Sequence, residues 1–74
     1  MTPEEQYDRI IEIIKSERKR RKMTLDELAK KSGVANMTIQ GWIYSGRQPS
    51  LAFLLYVLDA LGLRVTITRK NDEN

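Results

Sequence analysis

Thr24-Leu25-Asp26-Glu27 and Ser32-Gly33 mark both ends of one short helix, and this constrains the chain more than any other feature. The Thr24 hydroxyl can accept from the Glu27 amide while the Glu27 carboxylate reaches back, a reciprocal pairing that starts helices. Gly33 can take the left-handed conformation that ends them. Leu25, Leu28 and Ala29 give the helix its apolar side. After two or three residues a new apolar pattern begins, Ile39, Trp42 and Ile43, whose spacing predicts a helix from near Asn36 to just before Ser45-Gly46. Ala35 has no side-chain acceptor, so Asn36 is expected to cap it. Helix, glycine-containing turn, helix is the arrangement that lays a second helix into the DNA major groove. Ala29 is small where the two helices must cross, Gly33 tolerates the turn, and Val34, Ile39 and Trp42 are spaced to anchor the second helix from behind. These five are fold determinants first. They support the motif without proving that it binds DNA.

The flanking segments read as helices too. Thr2 is a plausible N-cap, Pro3 suits the first turn, and Glu4 and Glu5 favour the positive end of the dipole. Tyr7, Ile10, Ile11, Ile14 and the stem of Arg18 recur at spacings of three and four, which predicts an amphipathic helix to about Lys22. Arg47-Gln48-Pro49 reads as a loop. Ser50 then caps a fourth helix, Leu51 to Leu61, closed by Gly62, with Leu51, Leu54, Leu55, Leu58 and Leu61 as its core stripe. Beyond it the period changes to two. Leu63, Val65 and Ile67 alternate with Arg64, Thr66 and Thr68, which predicts a strand. The expected organisation is a helical domain over 1–62 with the motif at 24–44, a C-terminal dimerisation strand at 63–70, and a disordered tail at 71–74.

Composition narrows the function. The 74 residues allow one small domain, and with neither Cys nor His a disulfide or a Cys/His zinc site is closed to it. A chain this short buries only roughly 60% of its unfolded surface, so helix packing, oligomerisation or both must supply stability. No cofactor or metal is expected. An enzyme is not expected either, since Cys and His nucleophiles or bases and a glycine-rich phosphate loop are lacking. No charged-then-apolar leader and no apolar run of about 20 residues is present, so a cytoplasmic protein without a membrane partner is expected. The net charge of +3 hides an asymmetry. Residues 1–17 carry five acids and two bases, net −3, while residues 18–50 carry eight bases and two acids, net +6. A basic centre is the electrostatic footprint of a nucleic-acid binder, and equally of a solvated lysine- and arginine-rich surface.

The run from Met23 to Val34, then Thr38-Ile39 with Trp42, then Pro49-Ser50-Leu51 through Ala60-Leu61-Gly62, resembles the phage-repressor-like helix-turn-helix domains of Cro and cI type, the XRE family. The resemblance spans about residues 10–63. It implies an all-α fold of lambda-repressor-like type, a compact bundle of four to five helices, to which the alternation after Gly62 adds a short C-terminal β-strand expected to pair across a dimer. It also implies no cofactor and sequence-specific binding to double-stranded DNA as a homodimer. Carried over by position, Asn36, Met37, Gln40 and Gly41 occupy the exposed positions that face base edges. Asn and Gln can pair bidentately with adenine, and Met37 can meet a thymine methyl. Asn36 is as readily a cap, and Gln40 is the best single candidate for readout. Thr24, Tyr44 and Arg47 fall where the family touches phosphates, while Lys30, Lys31 and the Arg18–Lys22 run add diffuse attraction. Four positions depart from the family pattern. Leu25 stands where Gln is frequent, Ala35 where Ser or Thr is usual, and Lys22 where glycine is frequent. Ile43 replaces an acidic residue that pairs with the arginine matching Arg18, which leaves Arg18 to solvent or to DNA.

Ala52, Phe53 and Tyr56 lie off the leucine stripe of helix four, where relatives usually carry polar residues. Such a patch suggests a protein contact. An isolated strand leaves its backbone groups unpaired, so residues 63–68 are expected to pair antiparallel with a second copy, with Phe53, Tyr56, Leu63, Val65 and Ile67 at the interface. The competing expectation is a strand folded against its own first helix. The leading functional reading is a transcriptional regulator, a repressor, reading the groove with helix 36–44. The alternatives are a DNA-binding antitoxin whose partner is a toxin, and an interaction module that keeps the fold without binding DNA.

Overall fold

Four helices form, three of them started by a side-chain cap, and each end meets a residue that leaves the helical region. The computed structural model describes residues 2–70. Helix α1 (Pro3–Arg20) begins at a full capping box, with Thr2 accepting from the Glu5 amide and Glu5 reaching back. α2 (Leu25–Ser32) begins at the expected box, Thr24 with Glu27, and ends at Gly33 with φ +78°. α3 (Asn36–Tyr44) follows, and α4 (Leu51–Ala60) starts under the Ser50 hydroxyl, which accepts from the Phe53 amide. Asn36 does not cap α3: Ala35 is the N-cap, without a side-chain hydrogen bond, and Asn36 is the first helical residue.

α1 ends on Lys22, the only non-glycine residue with positive φ among the described residues, at +53°. The Met23 amide donates to the Arg18 carbonyl and the Lys22 amide to that of Lys19, both at 3.0 Å. That is the glycine-type helix stop built with a lysine. Arg18 completes it, donating from Nη1 to the Met23 carbonyl at 3.1 Å. The arginine deprived of its acidic partner thus turns inward to the α1–α2 turn, neither to solvent nor to DNA, and its Nε is buried without a hydrogen-bond partner.

α2 packs against α3 and α4, and α1 against α3. Ile11, Ile14, Leu28, Val34, Ile39, Trp42, Leu54, Val57, Leu58, Ala60 and Leu61 form one core, with Ala29 at its edge. The predicted stripe of α4 is corrected at three places. Leu51 and Leu55 are 69% and 42% exposed, while Val57 is fully buried. Val57 sits three residues after Leu54 and four before Leu61, so it fills the line facing α2, whereas Leu51 and Leu55 fall beside that line.

The expected strand is absent: residues 63–69 carry no regular structure, and the described residues form an all-α globule of four helices. A strand is held by a ladder to a neighbour, and this chain alone offers none. Leu63 packs on the core, after which the segment is exposed and lines a groove with Gln6 and Ile10 of α1, Val65 and Ile67 among its residues. The tail expected to be disordered, 71–74, lies outside the described residues.

Candidate nucleic-acid interface

α3 is held from behind by its own apolar side. Ile39 and Trp42 are buried, and Val34 in the turn joins them, so the remaining side of a nine-residue helix faces outward. Met37 is 83% exposed, Gln40 is exposed, and Tyr44 at the helix end is 67% exposed. Met37, Thr38, Gln40, Gly41, Ser45 and Arg47 line one shallow cleft. The sequence-selected residues Met37, Gln40, Gly41 and Arg47 therefore come together. Thr38 and Ser45 join them unforeseen.

Gly41 is the correction. It is buried rather than exposed, and a Cβ built on it would come 3.1 Å from Arg47 Cδ. Its carbonyl accepts from the amides of Ser45 and Arg47 at 3.1 and 3.0 Å. Gly41 thus seats the stem of Arg47. The same loop is held from the other side by Tyr7, whose hydroxyl donates to the Arg47 carbonyl at 2.6 Å. Burial, with Asp8 adding to it, pushes the Tyr7 hydroxyl pKa up from its ordinary value. Tyr7 is a positioning residue that helical periodicity presented only as core.

Asn36 is half-buried and joined to both helices of the motif. Its Nδ2 donates to Oδ1 of Asp26 on α2, and its Oδ1 accepts from Nε2 of Gln40 one turn on. Asp26 escaped the sequence reading because the contact spans ten residues and depends on the angle of the turn.

The positive charge is distributed less freely than the sequence implies. Glu17 binds Arg20 at 2.5 Å and Arg21 at 2.8 Å. Hydrogen bonds first from Arg20 and then from Arg21 hold its carboxyl down at about 2. With Arg18 committed to the turn, only Lys19 and Lys22 of the five-residue basic run make no ion pair or side-chain hydrogen bond among the described residues. Lys30 and Lys31 are exposed in the last turn of α2, and Lys30 lies one turn beyond Asp26 on the same face. The Thr24 hydroxyl accepts from the Glu27 amide at 3.1 Å, and Glu27 accepts from the Thr24 amide at 3.0 Å. Hydrogen bonding to its carboxylate, from the Thr24 backbone first and then from the Thr24 side chain, lowers the Glu27 pKa.

No helix among the described residues is long and apolar enough to cross a membrane. Nor do three or more Asp and Glu side chains gather there to hold a metal ion. A helix-turn-helix family model of Cro/cI type matches residues 14–67, most of the chain. Comparison with curated proteins and with solved structures finds no match.

Proposed function

Because this chain belongs to the XRE (Cro/cI-type) family of DNA-binding, non-enzymatic helix-turn-helix proteins, we propose that it is a transcriptional repressor that reads the major groove with α3 as a homodimer. The observation that carries the reading is the outward side of α3, where Met37 and Gln40 stand exposed beside Arg47. Gln40 and Asn36 supply amides for base edges, and Met37 an apolar contact for a thymine methyl. Thr24, Lys30, Lys31, Tyr44 and Arg47 flank that side and meet phosphates, fixing register without reading sequence. Residues 1–62 serve as the DNA-binding domain, with the motif at 24–44, and 63–70 as the dimerisation segment.

The dimer is supported by apolar surface that a lone copy leaves open. Leu51, Phe53, Leu55 and Tyr56 on α4 and Val65 and Ile67 beyond it are all exposed, with Leu63 packed at the junction. Pairing of residues 63–68 with a second copy would satisfy the unladdered backbone and cover this surface. A twofold of that kind sets two reading helices roughly 34 Å apart, on successive turns of one groove face. Selection of bound duplexes from a random pool tests the reading. A palindromic motif with half-sites about 10 base pairs apart is expected. A pool that shows no enrichment, or an affinity that does not fall as salt rises, overturns it.

A further inference from the structure

We propose that Asp26 is a specificity-determining residue that never touches a base: it fixes the amide polarity of Asn36 and, through it, of Gln40. This rests on α3 being the reading helix. An acid at the second position of α2 has an ordinary role at the positive helix end. That role does not require contact with α3, yet Oδ1 of Asp26 accepts from Asn36 Nδ2, and Asn36 Oδ1 accepts from Gln40 Nε2.

The direction of this relay follows from the donors and acceptors available. A carboxylate only accepts, so it forces the Asn36 amide to present nitrogen to Asp26 and oxygen to Gln40. That oxygen in turn fixes which end of the Gln40 amide points at Asn36. One Nε2 hydrogen is consumed, leaving the Gln40 oxygen and its second hydrogen at the outer edge. An unanchored glutamine rotates its amide end for end and accepts guanine, cytosine or adenine partners alike. With one orientation enforced, Gln40 offers the donor–acceptor pair that fits adenine N7 and N6. Asp26 also places a negative charge at the proposed phosphate face, which costs general affinity. The relay therefore exchanges affinity for discrimination.

The test compares the full chain with Asp26→Ala and Asp26→Asn, using the duplex that wild type selects and single-base variants of it. Asp26→Ala is expected to bind random duplex more tightly at low salt, while its preference at one base pair falls about tenfold. Asp26→Asn can turn either end of its own amide to Asn36, so it no longer enforces one polarity and is expected to lose that preference along with the charge. Unchanged preference in either variant overturns the proposal. A second readout needs no DNA: the side-chain amide NMR signals of Asn36 and Gln40. Gln40 does not bond Asp26, so a shift of its signal in Asp26→Ala reports the relay, and an unmoved Gln40 signal overturns it. Wild type that selects no motif defeats the reading of α3 itself. Loss confined to the variants, or its absence, judges Asp26 alone.

Discussion

Lys22 holds a left-handed backbone at φ +53° because the stop of α1 requires it, and a side chain with a Cβ resists that conformation by about 1–2 kcal/mol. Lys22→Gly removes the strain and returns part of it as unfolded-chain entropy. The net expectation is a gain near 1 kcal/mol, read as a rise of about 4–8 °C in the thermal midpoint. The departure from the family's glycine was legible in the sequence, but its conformation was not. A second expectation at this scale concerns Glu17. Its pKa is lower in the folded chain, about 2 against an ordinary 4.5, by hydrogen bonds from Arg20 and Arg21. The stabilisation is therefore complete above the ordinary value and is lost as pH falls from there through the folded one. Melting curves taken from pH 5 to pH 2 should fall in wild type, and fall less steeply in Glu17→Gln over the same window. The Glu27 cap adds a loss of the same sign to both proteins.

At the scale of elements, the α3–α4 loop is pinned twice, by the Tyr7 hydroxyl on the Arg47 carbonyl and by Gly41 beneath the Arg47 stem. Tyr7→Phe deletes one hydrogen bond and should cost about 0.5–1.5 kcal/mol in denaturant titration. Gly41→Ala should act differently. Alanine is the better helix former by up to about 1 kcal/mol, so stability holds or rises. The added methyl nevertheless pushes Arg47 aside, and affinity should weaken for all duplex sequences alike. Intact affinity in Gly41→Ala would remove Arg47 from the phosphate contacts. The four helices were legible because their signals are local: capping residues, glycine stops and apolar spacing sit within a few positions of each other. The Arg47 clamp and the Asp26–Asn36–Gln40 relay were not, since each depends on where turns aim residues far apart in sequence. The alternation of Leu63, Val65 and Ile67 predicts a strand that the chain does not form, because a strand also needs a neighbour and pattern alone cannot supply one.

For the whole molecule, α4 has a single charged residue, Asp59, and two apolar sides. The inner one, Leu54, Val57, Leu58 and Leu61, is spent on the core. The outer one, with Leu51, Leu55 and Tyr56, remains exposed although each of these side chains would lower its free energy by leaving water. A helix apolar all round is ordinarily covered all round. Leu55→Lys with Tyr56→Glu places charge there without touching the core, so the helical spectrum should persist. Sedimentation equilibrium should then show the mass halved, and the thermal midpoint should lose its dependence on protein concentration. Affinity for one half-site should be kept, because in the proposed dimer each half-site would be met by one α3. Affinity for two half-sites should fall by about a hundredfold or more, since the second contact is no longer tethered to the first. Retained dimer mass would take α4 out of the interface and leave the 63–68 segment to hold the copies together alone. Deleting residues 63–74 separates the contributions: if that chain is monomeric with α4 intact, the strand pair is the contact that dimerisation requires, and the α4 surface only adds to it.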